Sequence, residues 1–370
     1  MNYGWISQTG LFAQKPLLGK PCREYVLSAM TELEMAQSAE KLGRRKADVI
    51  LIVREDAPCL QPRTLQGLLQ AGSDQPCVLM SLDTELPLAL ALNGEALDEL
   101  IGGAPELPSI DALLQTASQK GLELRVWRDE LAETFLSVSD PQSYAAALKM
   151  LNQANLLRHQ KNGVIFIDPD RTLVESDVLI GAGTMIYPGN VLQGNTRIGP
   201  ECVLYPNNRM QDAVIGQGVS VESSVLVRCS VGDRTTVGPY AYIRPDSHIQ
   251  SGCRIGDFVE IKNSTVDEGT KISHLTYVGD SDLGKNINLG CGVVFVNYDG
   301  KVKNRSKVED QAFIGCNCNL VAPVHVGKTA YLAAGSTVVE DVPEDALFVA
   351  RSRGVVKENW VTRRKEEGRL

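Results

Sequence analysis

The chain has 370 residues, a length that suits two domains. Its net charge of −8 argues against a general affinity for nucleic acid, and its hydrophobic fraction of 43% is enough for a packed core. No stretch approaches ~18 uninterrupted apolar residues, so no membrane span is expected, and Met1 to Leu18 lacks the basic start and apolar run of a signal peptide.

The first 140 residues differ in kind from the rest. Glu24 to Lys46 spreads charges between apolar positions and reads as a helix. Val49-Ile50-Leu51-Ile52-Val53 is a continuous apolar run of strand length, as in a buried parallel strand. Thr64 to Gln70 reads as a short helix, Cys77-Val78-Leu79-Met80 as a strand, and Leu122 to Val126 as another. Alternating strands and helices suggest a small α/β domain over residues 1–140. Pro141 to His159, rich in Ala, Leu, Gln and Asn, reads as a linker helix within residues 141–162. Gly163 to Ile167 then enters the second domain as a strand.

From about Val178 to Val338 the chain repeats every six residues. Ile180, Ile186, Leu192, Ile198 and Leu204 are in strict register. So are Val231, Val237, Ile243, Ile249, Ile255 and Ile261, and again Val308, Ile314, Leu320, Val326, Leu332 and Val338. A helix spaces its apolar residues by three and four, and a simple strand alternates them; a period of six, often followed by Gly, does neither. It is the hexapeptide pattern of a β-helix, in which three units close one triangular turn. An aromatic content of only 5% suits a narrow interior filled by Ile, Val and Leu. The coil is expected over residues 163–342, with a charged tail over 343–370. Asn297 to Lys307 breaks the phase with a polar, basic segment, so it is expected to protrude as a loop and to carry function.

Nine cysteines, an odd number without a secretion signal, read as reduced thiols in the cytoplasm. Cys316 and Cys318 form a C-x-C with no second pair nearby, which favours small coil residues over a four-ligand metal site. Arg244 and Lys262 are eighteen residues apart, one turn of three hexads. Side by side on one edge, they are either two solvated cations or a cradle for an anion, and a phosphate suits such a cradle.

Tyr242 to Arg351 resembles the acetyltransferase half of the bacterial bifunctional N-acetylglucosamine-1-phosphate uridyltransferase/glucosamine-1-phosphate N-acetyltransferase family. The strings that carry the resemblance are Ile243-Arg244-Pro245, Gly256 to Lys262, His274-Leu275-Thr276-Tyr277, Val296 to Gly300 and Leu320 to Val324. It implies a left-handed parallel β-helix that acetylates glucosamine 1-phosphate with acetyl-CoA, assembles as a homotrimer and works toward UDP-N-acetylglucosamine and cell-envelope precursors. Position by position it implies His274 as the general base, a role suited to imidazole. Arg244, Lys262, Tyr277, Asn288 and Lys303 correspond to sugar-phosphate contacts. Asn297, Tyr298, Cys291, Cys316, Ala334 and Arg351 correspond to the acetyl-CoA groove. Cys291 and Cys316 replace a customary Ala and Ser. Either they are neutral exchanges of small residues or they set a thiol near the thioester.

In the N-terminal half the resemblance weakens. Gln14 to Pro21 and Val53 to Leu60 resemble stretches of the uridyltransferase half, and Asp56 keeps a carboxylate that corresponds to a Mg²⁺ ligand. The glycine-rich phosphate loop is missing, and so is the Asn that would be the second ligand. This domain is therefore expected to be a shortened, degenerate nucleotidyltransferase, with uridyltransferase activity lost, Asp56 a vestigial ligand and Mg²⁺ needed only if the domain is active. Two alternatives are a bifunctional enzyme that still uses UTP, and a non-catalytic protein that binds a sugar nucleotide or coenzyme A.

Overall fold

The structure, a computed structural model, describes residues 2–7, 14–33, 48–80, 86–102, 107–127 and 137–370. Its contacts divide the chain into two compact units. One comprises residues 1–161 with 173–178, the other residues 162–172 with 179–370.

The first unit is a five-stranded mixed sheet. Its strands are β1 (Asn2–Ser7), β2 (Val49–Arg54), β3 (Cys77–Met80), β4 (Pro87–Asn93) and β5 (Arg125–Trp127), in the order β1-β2-β4-β3-β5. β2 runs parallel to β1 and antiparallel to β4, so the parallel neighbour expected from its apolar run lies on one side only. Both faces of β2 are covered, which explains why it does not alternate. Val49, Leu51 and Val53 pack with Val26 and Met30 of α1 (Cys22–Thr31) and Leu65 and Leu68 of α2 (Pro62–Gly72). Ile50 and Ile52 pack with Leu97 of α3 (Gly94–Ile101) and Leu113 of α4 (Ile110–Lys120). Of the helix expected over Glu24 to Lys46, α1 is the described part, and residues 34–47 lie outside the described residues. β5 begins three residues later than the strand expected from Leu122. α5 (Pro141–Lys161) covers the helix expected from Pro141 to His159 and belongs to the first unit.

The second unit is a parallel β-helix of three sheets that meet at corners. The first face carries, among others, the strands Arg254–Asp257, Lys271–His274, Asn288–Leu289 and Phe313–Ile314. The second carries Tyr242–Ile243, Glu260–Lys262, Tyr277–Gly279 and Val294–Val296. The third carries Ser247–Ile249, Thr265–Val266, Ser281–Leu283 and Ser306–Val308. All seventeen aliphatics of the three runs are buried, and each stacks on its counterpart one turn away. The ruler is shorter than eighteen in places: Ile255 pairs with Ile272 and Ile272 with Leu289, seventeen residues on. A five-residue unit still makes one strand and one corner, and its pleat still points the same side chain inward. That is why the strict six-residue runs are interrupted while the core is not.

Corners are held by buried polar side chains that bond main chain left open by the bend. Asn208 Nδ2 donates to Tyr205 O at 2.6 Å, and Thr235 Oγ1 accepts from Cys253 N at 3.1 Å. The phase break after Val296 is a loop over residues 297–305, and the coil resumes at Ser306. The charged end carries a short helix, α6 (Trp360–Glu366). Among the described residues no helix is long and apolar enough to cross a membrane.

Candidate functional site

The corner between the first and second faces stacks one residue per turn into a column. Gly292 N donates to His274 O at 3.4 Å, Asn317 N to Cys291 O at 2.8 Å and Gly335 N to Cys316 O at 2.8 Å. Arg351 Nη1 donates to Ala334 O at 2.8 Å. His274, Cys291, Cys316 and Ala334, four positions scattered over the sequence, thus lie in one line along the coil axis, and the Arg351 side chain reaches back to the last of them. Gly290 and Gly315 flank it, and a Cβ at either would meet the main chain of the next turn at 2.6 and 2.5 Å.

His274 ends its strand and is paired across the sheet with Asp257. Its Nδ1 lies 2.5 Å from Asp257 Oδ1. The hydrogen bond to His274 holds the Asp257 carboxyl below its ordinary range, so the carboxylate accepts and Nδ1 carries the proton. In the neutral imidazole this tautomer leaves the lone pair on Nε2, the state a general base requires. Asp257 was in plain view within the string Gly256 to Lys262, but its role depends on a seventeen-residue pairing that an eighteen-residue ruler places one position off.

Four of the expected sugar-phosphate contacts converge on the second face. Lys262 lies one turn beyond Arg244, whose N–H bonds Ile261 O at 2.8 Å. The anion expected between the two cations is not needed to balance them, because each has its own carboxylate. Arg244 Nη1 meets Glu260 Oε1 at 2.7 Å, and Lys262 Nζ meets Asp280 Oδ2 at 3.1 Å. Arg244 also sits over the ring of Tyr242, and its buried Nε has no acceptor among the described residues. Lys303, exposed in the loop, has no carboxylate partner among the described residues. Contact with Lys262, then its charge and that of Arg244, pushes the Lys303 ammonium below the usual lysine range. Three cations therefore point at one place with two carboxylates between them.

Asp280 is the hub beneath them, and sequence reasoning missed it. Its buried carboxylate accepts from Lys262, from Asn263 Nδ2 at 2.6 Å and from Asn297 Nδ2. Burial pushes its carboxyl up, but the bonds from Asn263, Lys262 and Asn297 outweigh burial and hold it below the ordinary range. Asn297 also lies 3.4 Å from Tyr277 Oη, so its amide anchors the root of the loop. Tyr277 Oη would lie 2.4 Å from a Cβ at residue 279, which explains Gly279. Tyr298 is exposed and donates to Gly300 O at 2.8 Å. Asn288 is half-buried on the first face, beside Lys271 and Phe313, on the other side of the corner from Tyr277.

In the first unit the Asp56 carboxylate is buried and occupied. Arg54 donates to both its oxygens at 3.0 Å, and Ser137 Oγ donates to Oδ2 at 3.0 Å. Mg²⁺ needs open oxygen ligands in octahedral array. No group of three or more His, Cys, Asp or Glu side chains able to hold a metal occurs among the described residues. The described residues do not fit the ion: the Asp56 carboxylate is the partner of an internal ion pair.

Fold and corner together define a hexapeptide-repeat β-helix protein. Residues 228–263 match the family described as bacterial transferase hexapeptide (six repeats). The chain is 51% identical over 232 residues to the bifunctional protein GlmU of Clostridium acetobutylicum, covering 63% of this chain and 51% of that protein. It is 47% identical over 251 residues to the GlmU of a Geobacillus species, covering 68% and 55%. Over this matched length the chain is similar to the bifunctional protein GlmU. The chain spans about half the length of the curated relatives it matches. Among solved structures, the Francisella novicida UDP-N-acetylglucosamine acyltransferase aligns with a TM-score of 0.34 at 21% identity, over 55% of this chain and 74% of that one.

Proposed function

We propose that this protein is an acetyl-CoA-dependent acyltransferase that converts glucosamine 1-phosphate to N-acetylglucosamine 1-phosphate, toward UDP-N-acetylglucosamine and envelope precursors. The observation that carries the reading is the corner column. A base with a free Nε2 heads a line of backbone and small side chains, and three cations stand on the adjoining face. In this reading Arg244, Lys262 and Lys303 hold the phosphate, and Arg244 Nε and Lys303, which meet no acceptor and no carboxylate among the described residues, are the donors still to be filled. Tyr277 and Asn288 contact the sugar. Acetyl-CoA lies along Cys291, Cys316, Ala334 and Arg351, with Asn297 and Tyr298 near its thioester.

The sugar amine attacks the thioester carbonyl carbon, and His274 Nε2 takes the proton the amine loses. Main-chain N–H beside Cys291 stabilises the tetrahedral oxyanion. Collapse breaks the C–S bond, and the proton leaves with the coenzyme A thiolate. Asp257 fixes the tautomer and stabilises the imidazolium that forms in between. The substrates place the reaction in the cytoplasm, and a homotrimer would close the open side of the column. The occupied carboxylate of Asp56 supports the loss of uridyltransferase activity.

Thiol release from acetyl-CoA, followed with glucosamine 1-phosphate and its product identified by mass, tests the reading. Release that depends on His274 is the expected result. Release with another amino sugar alone would replace the substrate, and no release with any amino sugar would leave the non-catalytic alternative standing. Pyrophosphate release from UTP and N-acetylglucosamine 1-phosphate would restore the bifunctional one.

A further inference from the structure

The C-x-C of Cys316 and Cys318 is not a chelating pair: Cys316 is exposed, whereas Cys318 is buried and donates to Ala333 O at 3.3 Å. The true neighbour of Cys316 is Cys291. They are twenty-five residues apart because the loop is inserted between them, yet they hold the same corner position in successive turns. Asn317 N bonds Cys291 O at 2.8 Å, and Gly290 N bonds Ile314 O at 2.8 Å, so the two backbones are in register on both sides of the pair. Cys202, Cys253 and Cys318 are buried, with Sγ donating to a carbonyl at 3.0, 3.2 and 3.3 Å. Cys291 and Cys316 are accessible, and neither Sγ has a hydrogen-bond partner among the described residues.

We propose that Cys291 and Cys316 form a two-thiolate site for a soft monovalent cation of the copper(I) type. Spacing decides between this and a disulfide. Adjacent parallel strands lie ~4.8 Å apart, and side chains in register leave in parallel directions. A disulfide needs Cβ atoms ~3.5–4.5 Å apart, short of that spacing, and both cysteines are free thiols. A two-coordinate ion between two sulfurs, on the ~2.3 Å scale of a zinc–thiolate bond, needs them on the order of 4.6 Å apart. Thiolates are also the ligands that select copper(I). Binding is balanced without redox change: each thiol releases its proton, and each thiolate donates an electron pair to the cation.

The test uses the full chain, reduced and anaerobic, titrated with copper(I) against a competing chromophoric chelator. Stoichiometry is read by native mass spectrometry and by copper–thiolate absorbance. One tightly bound ion is expected, and Cys291→Ser and Cys316→Ser should each weaken it by at least 100-fold. The seven remaining cysteines are buried and form the background. Wild-type affinity in either variant, or no ion bound to the wild type, overturns the proposal. Unfolding of a variant is checked by circular dichroism, and Cys316→Ala, at an exposed position, provides a second variant. No readout involves turnover, so the site stands or falls independently of the acyltransferase reading.

Discussion

At the scale of single residues, the carboxylate behind His274 is the most consequential contact. A positioned base contributes roughly 10²–10⁴-fold to a proton transfer, so His274→Ala should lower kcat for thiol release by that order. Asp257 touches only the imidazole, which makes it a positioning residue. Asp257→Ala should lower kcat while leaving KM for both substrates within about twofold, and Asp257→Glu should recover part of the loss. A rise in KM with kcat preserved would show that Asp257 acts on binding instead. Asp280 gives the pH dependence. Its folded-state carboxyl is held below the ordinary value near ~3.9, so its contribution to stability is complete above that value and is lost as pH falls through the lower, folded one. Melting temperature followed from pH 5 downward should show this loss in the wild type and not in Asp280→Asn. Parallel curves for the two proteins would remove Asp280 as the linked group.

At the scale of elements, the loop over residues 297–305 is built from its own contacts. Asp299 Oδ1 accepts from Lys301 N and Val302 N at 2.8 Å each, and its Oδ2 accepts from Asn304 Nδ2 at 3.0 Å. Arg305 closes the far end on Asp282 with two contacts of 2.6 Å. These backbone bonds hold the Asp299 carboxyl below its ordinary range. Asp299→Ala should therefore speed trypsin cleavage after Lys301 and Lys303 several-fold, read by the fragment masses, with the coil intact. Unchanged cleavage would mean that the loop is held from outside. The loop was legible from Asn297 because a phase break in a strict repeat is a strong signal. The coil was legible for the same reason: one side chain per six residues must face inward. β4 was not read from Pro87-Leu88-Ala89-Leu90-Ala91-Leu92, since alternating Leu and Ala suit a helix as well as a strand, and only pairing with β2 and β3 decides it. Asp257 and Asp280 stayed hidden for a different reason. Their partners are a turn away: Asp257 meets His274 seventeen residues on, off an eighteen-residue ruler, and Asp280, although eighteen residues beyond Lys262, becomes a hub only through Asn263 and Asn297, each seventeen away.

At the scale of the whole molecule, the chain consists of two units with separate interiors, and the first depends on a charge it must keep paired. The Asp56 side chain is only 3% exposed and Arg54 13%, with Asp111 as a second acceptor for Arg54 at 3.2 Å. Removing one partner of a buried pair leaves an uncompensated charge and costs about 3–5 kcal/mol. If Asp56 is an internal ion-pair partner, Arg54→Ala should lower the melting transition of the first unit by that amount. It should leave the transition of the β-helix in place, because the stacked aliphatics of the coil do not involve it. Scanning calorimetry separates the two transitions, and millimolar MgCl2 provides the discriminating arm. A carboxylate released from its arginine but lacking further open oxygen ligands gives Mg²⁺ too few contacts to repay its dehydration. Addition of MgCl2 should therefore not restore the first transition. Restoration by Mg²⁺ would identify Asp56 as a working ligand and revive the nucleotidyltransferase activity of this half. A shift of both transitions together would show instead that the two units unfold as one.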